Sequence, residues 1–429
     1  MSIPRIVIVG GGIGGMLLAT RLGRRLGRRG EADICLVDRE FTHVWKPLLH
    51  TIAAGTRDVH QQRVHFLAHA SKNGYRFEPG ELLGVARHAR YVRVGPLRDA
   101  AGAIAVGPRE LPYDLLVLAL GSGANDYGTP GVREHAHFID NQAQAEAFNQ
   151  ALRMHLLRAA LHDTDIRIAI VGGGATGVEL AAELSDLTEQ ASGLGDGQLR
   201  QRLRLTLYEG GPRILAAFPE KIAEASSDVL RGLGFTLRTG ARVQGLSEGG
   251  VLLQDGQAEP ADLVVWAAGV KAPGVLARIA GLPLNRLQQV EVTPSLQASR
   301  DERIFAIGDC ASLTPPNAGR ALPPTAQVAA QQAEHLARYI ERALQGEAVP
   351  PFRYRDQGAL VSLGKYSAYG TLGAAGLYPG YFIRGRLAQL GHAWLHRRHQ
   401  ASVLGWSRAP LAWLAEATNA CAHPPIRLS

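Results

Sequence analysis

The chain has 429 residues, 46% hydrophobic and 20% charged, a balance that suits a packed protein and is too apolar for a disordered one. No run of about 18 apolar residues occurs, which excludes a membrane-spanning helix, and fifty glycines without a G-X-Y period exclude collagen. The net charge of +8 is concentrated at one end: residues 380–429 hold six arginines, no lysine and one acid, Glu416.

In chain order, Arg5–Val9 reads as a buried strand, residues 10–15 as a glycine turn, and Met16, Leu17, Ala19, Leu22 and Leu26 as the apolar face of a helix. A second strand, Ala32–Val37, ends in Asp38. Tyr75–Arg109 reads as a β-meander with pieces such as Tyr91–Val94 and Ala103–Val106, and Tyr113–Ser122 as a returning strand. The opening pattern recurs 162 residues later. Ile166–Val171 is the strand, Gly172–Gly177 the turn, Val178–Leu187 the helix, Leu203–Tyr208 the second strand and Glu209 the acid. Gln190–Arg202 reads as an inserted polar loop, and Ala261–Val270 as the matching return. Arg303–Cys310 is a strand ending in Gly308-Asp309, Arg353–Gly373 a small antiparallel sheet, and residues 381–421 an amphipathic helix.

This order predicts an α/β fold with two Rossmann-like dinucleotide-binding domains, a small antiparallel sheet and a C-terminal amphipathic helical region. Residues 1–115 are expected to form the first part of one dinucleotide-binding domain, 116–162 its return strand and connection, and 163–285 the second dinucleotide-binding domain. Residues 286–345 would complete the first domain, and 346–429 would form the C-terminal sheet and amphipathic helices. Cys35, Cys310 and Cys421 lie far apart with no CxxC, which excludes a disulfide framework, a zinc ribbon and a dithiol centre. No metal site is predicted. Reducing, intracellular conditions are the expectation, and the first residues carry no secretory pattern.

Each glycine turn is a phosphate cradle by its spacing. Gly10 allows the tight turn, Gly12 the approach of a pyrophosphate and Gly15 close packing of helix on strand, while Asp38 can accept from a ribose. Gly172, Gly174 and Gly177 repeat the device with Glu209, a carboxylate that pairs with a 2′-hydroxyl and repels a 2′-phosphate. NADH is therefore expected over NADPH, with Arg213 as a nearby cation that could meet a phosphate. Two dinucleotide sites imply non-covalent FAD held permanently and NADH exchanging. Asp309 would serve the ribityl or pyrophosphate region of the flavin; an ordinary strand-end acid is the plainer alternative.

Several stretches carry a family likeness: Trp45–His50, Gly121–Gly131, Tyr208–Leu215, Ala267–Pro273 and, above all, Ala326-Gln-Val-Ala-Ala-Gln331. On these the chain resembles the two-dinucleotide-binding flavoproteins, and within them the type II NADH:quinone oxidoreductases, single-subunit non-pumping dehydrogenases. The resemblance implies electron transfer from NADH through FAD to a membrane quinone. It also implies cofactor-binding roles for Gly14, Arg39, Lys46, Ala119 and Gly121, and for Gly308, Ala326 and Gly269. It places Glu179 near the nicotinamide nucleotide and Glu183 near the flavin, although an acid in a helix's first turns is often only dipole compensation. Thr51 stands where many relatives carry an acid, so any role of that acid lapses.

Thr325 reads as the N-cap of a helix whose Gln327 and Gln331, one turn apart, could orient a quinone carbonyl, with alanines admitting a flat ring. Glu183, Gln327 and Gln331 are the expected catalytic residues. In the basic tail, Ile383, Leu387, Leu390 and Trp394 would form one helical stripe flanked by Arg386, Arg397 and Arg398, with Gly405 and Pro410 breaking it and Leu411, Trp413 and Leu414 following. Such a helix suits a membrane interface, predicting a peripheral enzyme on the cytoplasmic face of the cell inner membrane; packing against the domain or a partner subunit is the rival reading. No nucleic-acid-binding module appears, and a homodimer is compatible with the sequence. A soluble NADH:acceptor reductase serving an iron–sulfur protein, or an NADH-binding docking or sensing flavoprotein, are the alternatives. A sulfide:quinone reaction would need a cysteine pair, and only Cys310 lies near the expected flavin.

Overall fold

The computed structural model describes residues 3–57, 63–190, 199–316, 318–372 and 382–422. The chain divides into two compact units. One comprises residues 1–45, 62–123 and 270–354, and the other residues 46–61, 124–269 and 355–429.

The first unit is built on a six-stranded sheet. Its order is Gln297–Ala298, Asp301–Ala306, Leu115–Leu118, Arg5–Val9, Asp33–Asp38 and Arg76–Pro79, all parallel except the first. The central strands are β-branched and aliphatic, and Ile6, Ile8, Leu36, Val117 and Phe305 are fully buried, as expected of parallel strands covered on both faces. Each such side chain contributes about 1.5–3 kcal/mol by leaving water. The chain runs outward from Arg5–Val9 in one direction and then crosses to Leu115–Leu118 on the other side. That reversal is a topological switch point, where open α/β sheets bind ligands at their strand ends. The expected meander is only partly one: Arg76–Pro79 joins the parallel sheet, because its partner is Asp33–Asp38. Leu82–Ala86, Tyr91–Val94 and Arg109–Pro112 form an antiparallel sheet, and Leu97–Arg98 pairs with Ile104–Val106.

The second unit repeats the device on four parallel strands, ordered Phe235–Thr239, Leu203–Glu209, Ile166–Val171 and Leu263–Trp266. Its switch point lies between Ile166–Val171 and Leu263–Trp266. The helix after the glycine turn runs Ala175–Gln190, longer than the sequence pattern predicts. The expected polar loop is helical at both ends: Gln190 closes that helix and Leu199–Arg202 form a short one, with Leu199 buried. Residues 191–198 of that expected loop lie outside the described residues.

The C-terminal sheet pairs Gly358–Leu363 with Ser367–Leu372, and the latter with Phe382–Arg384. The expected start of the amphipathic helical region at residue 381 is therefore corrected, whereas the expected break at Gly405 is present. Residues 382–384 are a strand and place Ile383 outside the helical stripe; helices Arg386–Leu404 and Ala409–Ala422 follow. Gly405 caps the first, whereas Pro410 lies in the first turn of the second, where its missing N–H costs nothing. The side chains of Arg386, Leu387 and Cys421 lie outside the described ones.

Candidate functional site

In the first unit the glycines act through space. A Cβ on Gly10 would overlap the Ala119 carbonyl, and one on Gly15 would overlap the Gly10 carbonyl. Gly10 also has φ +109°, a conformation that other residues rarely adopt. Strand, turn and helix thus approach at a separation only glycine permits. Gly12, by contrast, has no atom within 4 Å of where its Cβ would be. The helix it opens, Ile13–Arg25, has no side-chain cap and no acid in its first turn. Uncapped N–H groups at an open glycine face form an anion site. The Asp38 carboxylate accepts from the Gly11 N–H and, at 2.8 Å, from the Glu40 N–H. Burial pushes its carboxyl up, against those two donors. Behind the turn, buried His43 lies with Nδ1 2.9 Å from the Gly11 carbonyl. Desolvation lowers its pKa to about 4, so it stays neutral and donates. Arg39 is beside Glu40, 3.6 Å away. This donor set fits the pyrophosphate and ribose of a flavin dinucleotide.

The far side of the same switch point carries Gly121, with φ +67°, and the Gly308–Cys310 turn. Asp309 accepts from the Ser122 hydroxyl at 2.7 Å, and Gln289 Nε2 donates to the Asp309 carbonyl at 2.8 Å. Gln332, 2% exposed, accepts the Gly308 N–H at 2.7 Å. Beside them lies a cavity of about 260 Å³ bordered by Ser122, Lys271, Gln289, Asp309 and residues 321–324. Gln332, Gln289 and Ser122 are residues that the sequence reading does not single out.

Ala326–Leu344 is a helix capped by Thr325, whose hydroxyl accepts from the Val328 N–H at 3.3 Å. It packs on the Ile13–Arg25 helix where Gly14 leaves room: a Cβ there would meet the Ala329 carbonyl at 3.4 Å. Arg21–Glu334 and Arg25–Glu341 pair across the same contact at 2.7 and 2.9 Å. Ala326, Gln327 and Gln331 therefore stand on a helix anchored to the first fingerprint. The Tyr354 hydroxyl donates to Gln327 Oε1. Cys310 is fully buried, donates to the Leu118 and Ile307 carbonyls, and desolvation raises its thiol to about 12. A thiol so held is not a nucleophile.

The second unit repeats the cradle. A Cβ on Gly172 would overlap the Ala267 carbonyl, one on Gly177 the Gly172 carbonyl, and Gly174 is open. Glu209 accepts from the Gly173 N–H at 2.8 Å and the Gly211 N–H at 2.7 Å, the same two-donor arrangement as Asp38. Arg213 is consumed: it donates to the carbonyls of Leu215, Ala216 and Phe218 at 3.0–3.1 Å. Its expected availability to a phosphate is corrected on that ground. Gly269, with φ +143°, packs against the Tyr127 hydroxyl. Lys46, expected beside the flavin, groups with this unit, its Nζ 3.9 Å from Asp140.

Glu179 and Glu183 follow the second glycine turn on the Ala175–Gln190 helix, facing Leu49–Ala54 and the C-terminal sheet. Glu179 accepts the Ser362 N–H at 3.0 Å and stands 3.7 Å from His50 Nδ1. Desolvation, reinforced by Glu183, raises its pKa to about 8. Glu183 is 9% exposed and takes the Thr56 hydroxyl, and burial pushes its carboxyl up as well. Neither acid behaves as a solvated dipole compensator. Thr51 donates to the Leu48 carbonyl at 2.7 Å, a neutral role.

A family model described as pyridine nucleotide-disulphide oxidoreductase matches residues 4–333. A type II NADH:quinone oxidoreductase of Haemophilus influenzae is 38% identical over 99% of both chains. The chain belongs to the type II NADH:quinone oxidoreductase family. A Staphylococcus aureus member of that family is 28% identical over 86% of this chain and 89% of its own. The solved structure of NDH2 from Plasmodium falciparum in complex with NADH has a TM-score of 0.83, covering 99% of this chain and 100% of that one, at 18% identity. A sulfide:quinone oxidoreductase from Aquifex aeolicus has a TM-score of 0.73 at 17% identity. These two likenesses establish the doubly wound fold, whereas the family rests on the sequence matches.

Proposed function

We propose that this chain transfers two electrons from NADH, through non-covalently held FAD, to a membrane quinone without moving ions. The observation that carries the reading is full-length identity of 38% to a type II NADH:quinone oxidoreductase. Two separate cradles, each with an open glycine and a backbone-fixed acid, support it. Flavin, when bound, supplies the two-electron carrier between nicotinamide and quinone.

The chain's own residues bind, orient and hold protons. Gly10, Gly12, Gly15, Asp38 and Asp309 hold the flavin dinucleotide; Gly172, Gly174, Gly177 and Glu209 hold NADH. The Tyr354 hydroxyl donates to the Gln327 amide oxygen and so orients the amide, whose NH2 has the donor polarity that a quinone carbonyl requires. Quinone reduction consumes two protons. A carboxyl that stays protonated up to about pH 8, as Glu179 does, holds one in a buried place.

The reading extends to a peripheral position on the cytoplasmic face of the inner membrane. No helix among the described residues is long and apolar enough to cross a membrane. Leu390, Trp394, Trp406, Leu411 and Leu414 on the last two helices and their junction are 57–68% exposed. Arg398 lies over Trp394 at 5.4 Å, a cation and an aromatic ring suited to headgroups. Arg397 has a different task from the snorkelling expected of it. It pairs with Glu416 and lies 5.6 Å over Trp413, joining the two helices.

The test is NADH oxidation by purified, yellow protein with and without a short-chain quinone. Quinone should accelerate turnover. Acceleration by an iron–sulfur protein and not by quinone would move the reading to a soluble reductase.

A further inference from the structure

The loop that ends the Leu203–Glu209 strand is tied to the segment after Phe235–Thr239. The Gly240 N–H donates to the Gly211 carbonyl at 2.7 Å and the Ala241 N–H to the Glu209 carbonyl at 3.0 Å. On the far side, the Gln254 N–H donates to the Arg242 carbonyl at 2.8 Å. Arg242 therefore has a backbone fixed from both sides against the acid's own turn. Its side chain lies along that turn: Cβ and Nε are 3.9 and 4.0 Å from where Gly210 would carry a Cβ. Three arginines flank this place in sequence, and two are committed. Arg213 is spent on three backbone carbonyls, and Arg238 pairs with Glu259. Arg242 makes no side-chain hydrogen bond or ion pair among the described residues.

We infer that Arg242 is a second specificity-determining residue of the nucleotide site, a guanidinium placed to read a 2′-phosphate whose approach Glu209 opposes. The inference rests on reading the second cradle as the NADH site. Both Glu209 oxygens are held by backbone N–H groups, so the carboxylate cannot swing aside to admit a phosphate. Discrimination between NADH and NADPH is then the difference between an anion held by two backbone N–H groups and an exposed cation on a fixed backbone, beside the same ribose position. Removing the anion leaves the cation in command. A neutral residue at 209 turns the site toward the phosphorylated nucleotide, and only while Arg242 is present.

The test is calorimetric binding of adenosine 2′,5′-bisphosphate and adenosine 5′-monophosphate to the flavin-loaded protein, without turnover. Glu209→Gln should tighten bisphosphate binding by about tenfold, the scale of one charge-assisted phosphate contact at a partly exposed site, with monophosphate binding changed far less. Adding Arg242→Gln should abolish that gain, and Arg242→Lys should keep part of it. In the wild-type background Arg242→Glu should weaken the bisphosphate alone, a readout that does not depend on the Glu209 variant folding. Bisphosphate binding to Glu209→Gln/Arg242→Gln as tight as to Glu209→Gln would overturn the inference, as would no gain in Glu209→Gln itself. Wild-type protein that binds neither nucleotide would instead refute the underlying NADH site, and the inference with it.

Discussion

Replacing Gly15 by alanine separates the two cradles most cleanly. The new methyl would overlap the Gly10 carbonyl, with the Ala119 Cβ 3.2 Å away on the other side, so neither neighbour can yield cheaply. Helix and turn must part by about an ångström. Overpacking of this kind costs about 1–3 kcal/mol. The larger effect falls on the uncapped N–H groups at the start of Ile13–Arg25, which move with the helix. A donor displaced that far leaves hydrogen-bond range, and each charge-assisted bond lost costs about 1.5–3 kcal/mol. One or two such losses weaken flavin binding by about tenfold to twenty-thousandfold. Gly177→Ala makes the equivalent overlap with the Gly172 carbonyl in the other unit. The assay is flavin content of the purified protein together with the KM for NADH. Gly15→Ala should emerge largely colourless, while Gly177→Ala should stay yellow and show a raised KM for NADH. A Gly15→Ala protein with full flavin content, or a colourless Gly177→Ala, would refute the assignment of cradles to nucleotides.

Other consequences are as direct. Glu179 has a folded pKa of about 8 against an ordinary 4.5, so the folded state holds a proton that the unfolded state loses. Stability is then lost as pH rises through that window, and Glu179→Gln should gain in Tm over wild type between pH 5 and 8; a pH-independent difference would contradict the burial argument. Thr325→Ala removes the cap on the glutamine helix and should cost about 1 kcal/mol in chemical denaturation, with flavin retained. Replacing Leu390, Trp394, Trp406, Leu411 and Leu414 by serine should abolish sedimentation with anionic vesicles while NADH still bleaches the flavin. Persistent sedimentation would place the membrane contact elsewhere.

The two cradles were legible because their chemistry is local. A glycine turn between an aliphatic strand and an apolar-periodic helix dictates its own geometry, and the structure returns both at switch points. The buried acids were only half legible. Sequence places Glu179 and Glu183 one turn apart, but their raised pKa values come from burial, beneath segments around His50, Thr56 and Ser362 that are all more than 100 residues distant along the chain. Gln332 escaped for the same reason, since its partner Gly308 lies on another element. The tail misled because helical spacing and a short strand cannot be told apart over three residues. Ile383 fits the stripe by count, yet its backbone pairs with Gly370. Arg213 and Arg397 were named for their charge, which backbone carbonyls and Glu416 had already claimed.

Rapid mixing of the purified protein with NADH and then with a short-chain quinone, followed by flavin absorbance under anaerobic conditions, is the most direct measurement. NADH should bleach the flavin and quinone should return its colour in full, both faster than steady-state turnover. Colour that NADH cannot remove, or that quinone cannot restore, would contradict it.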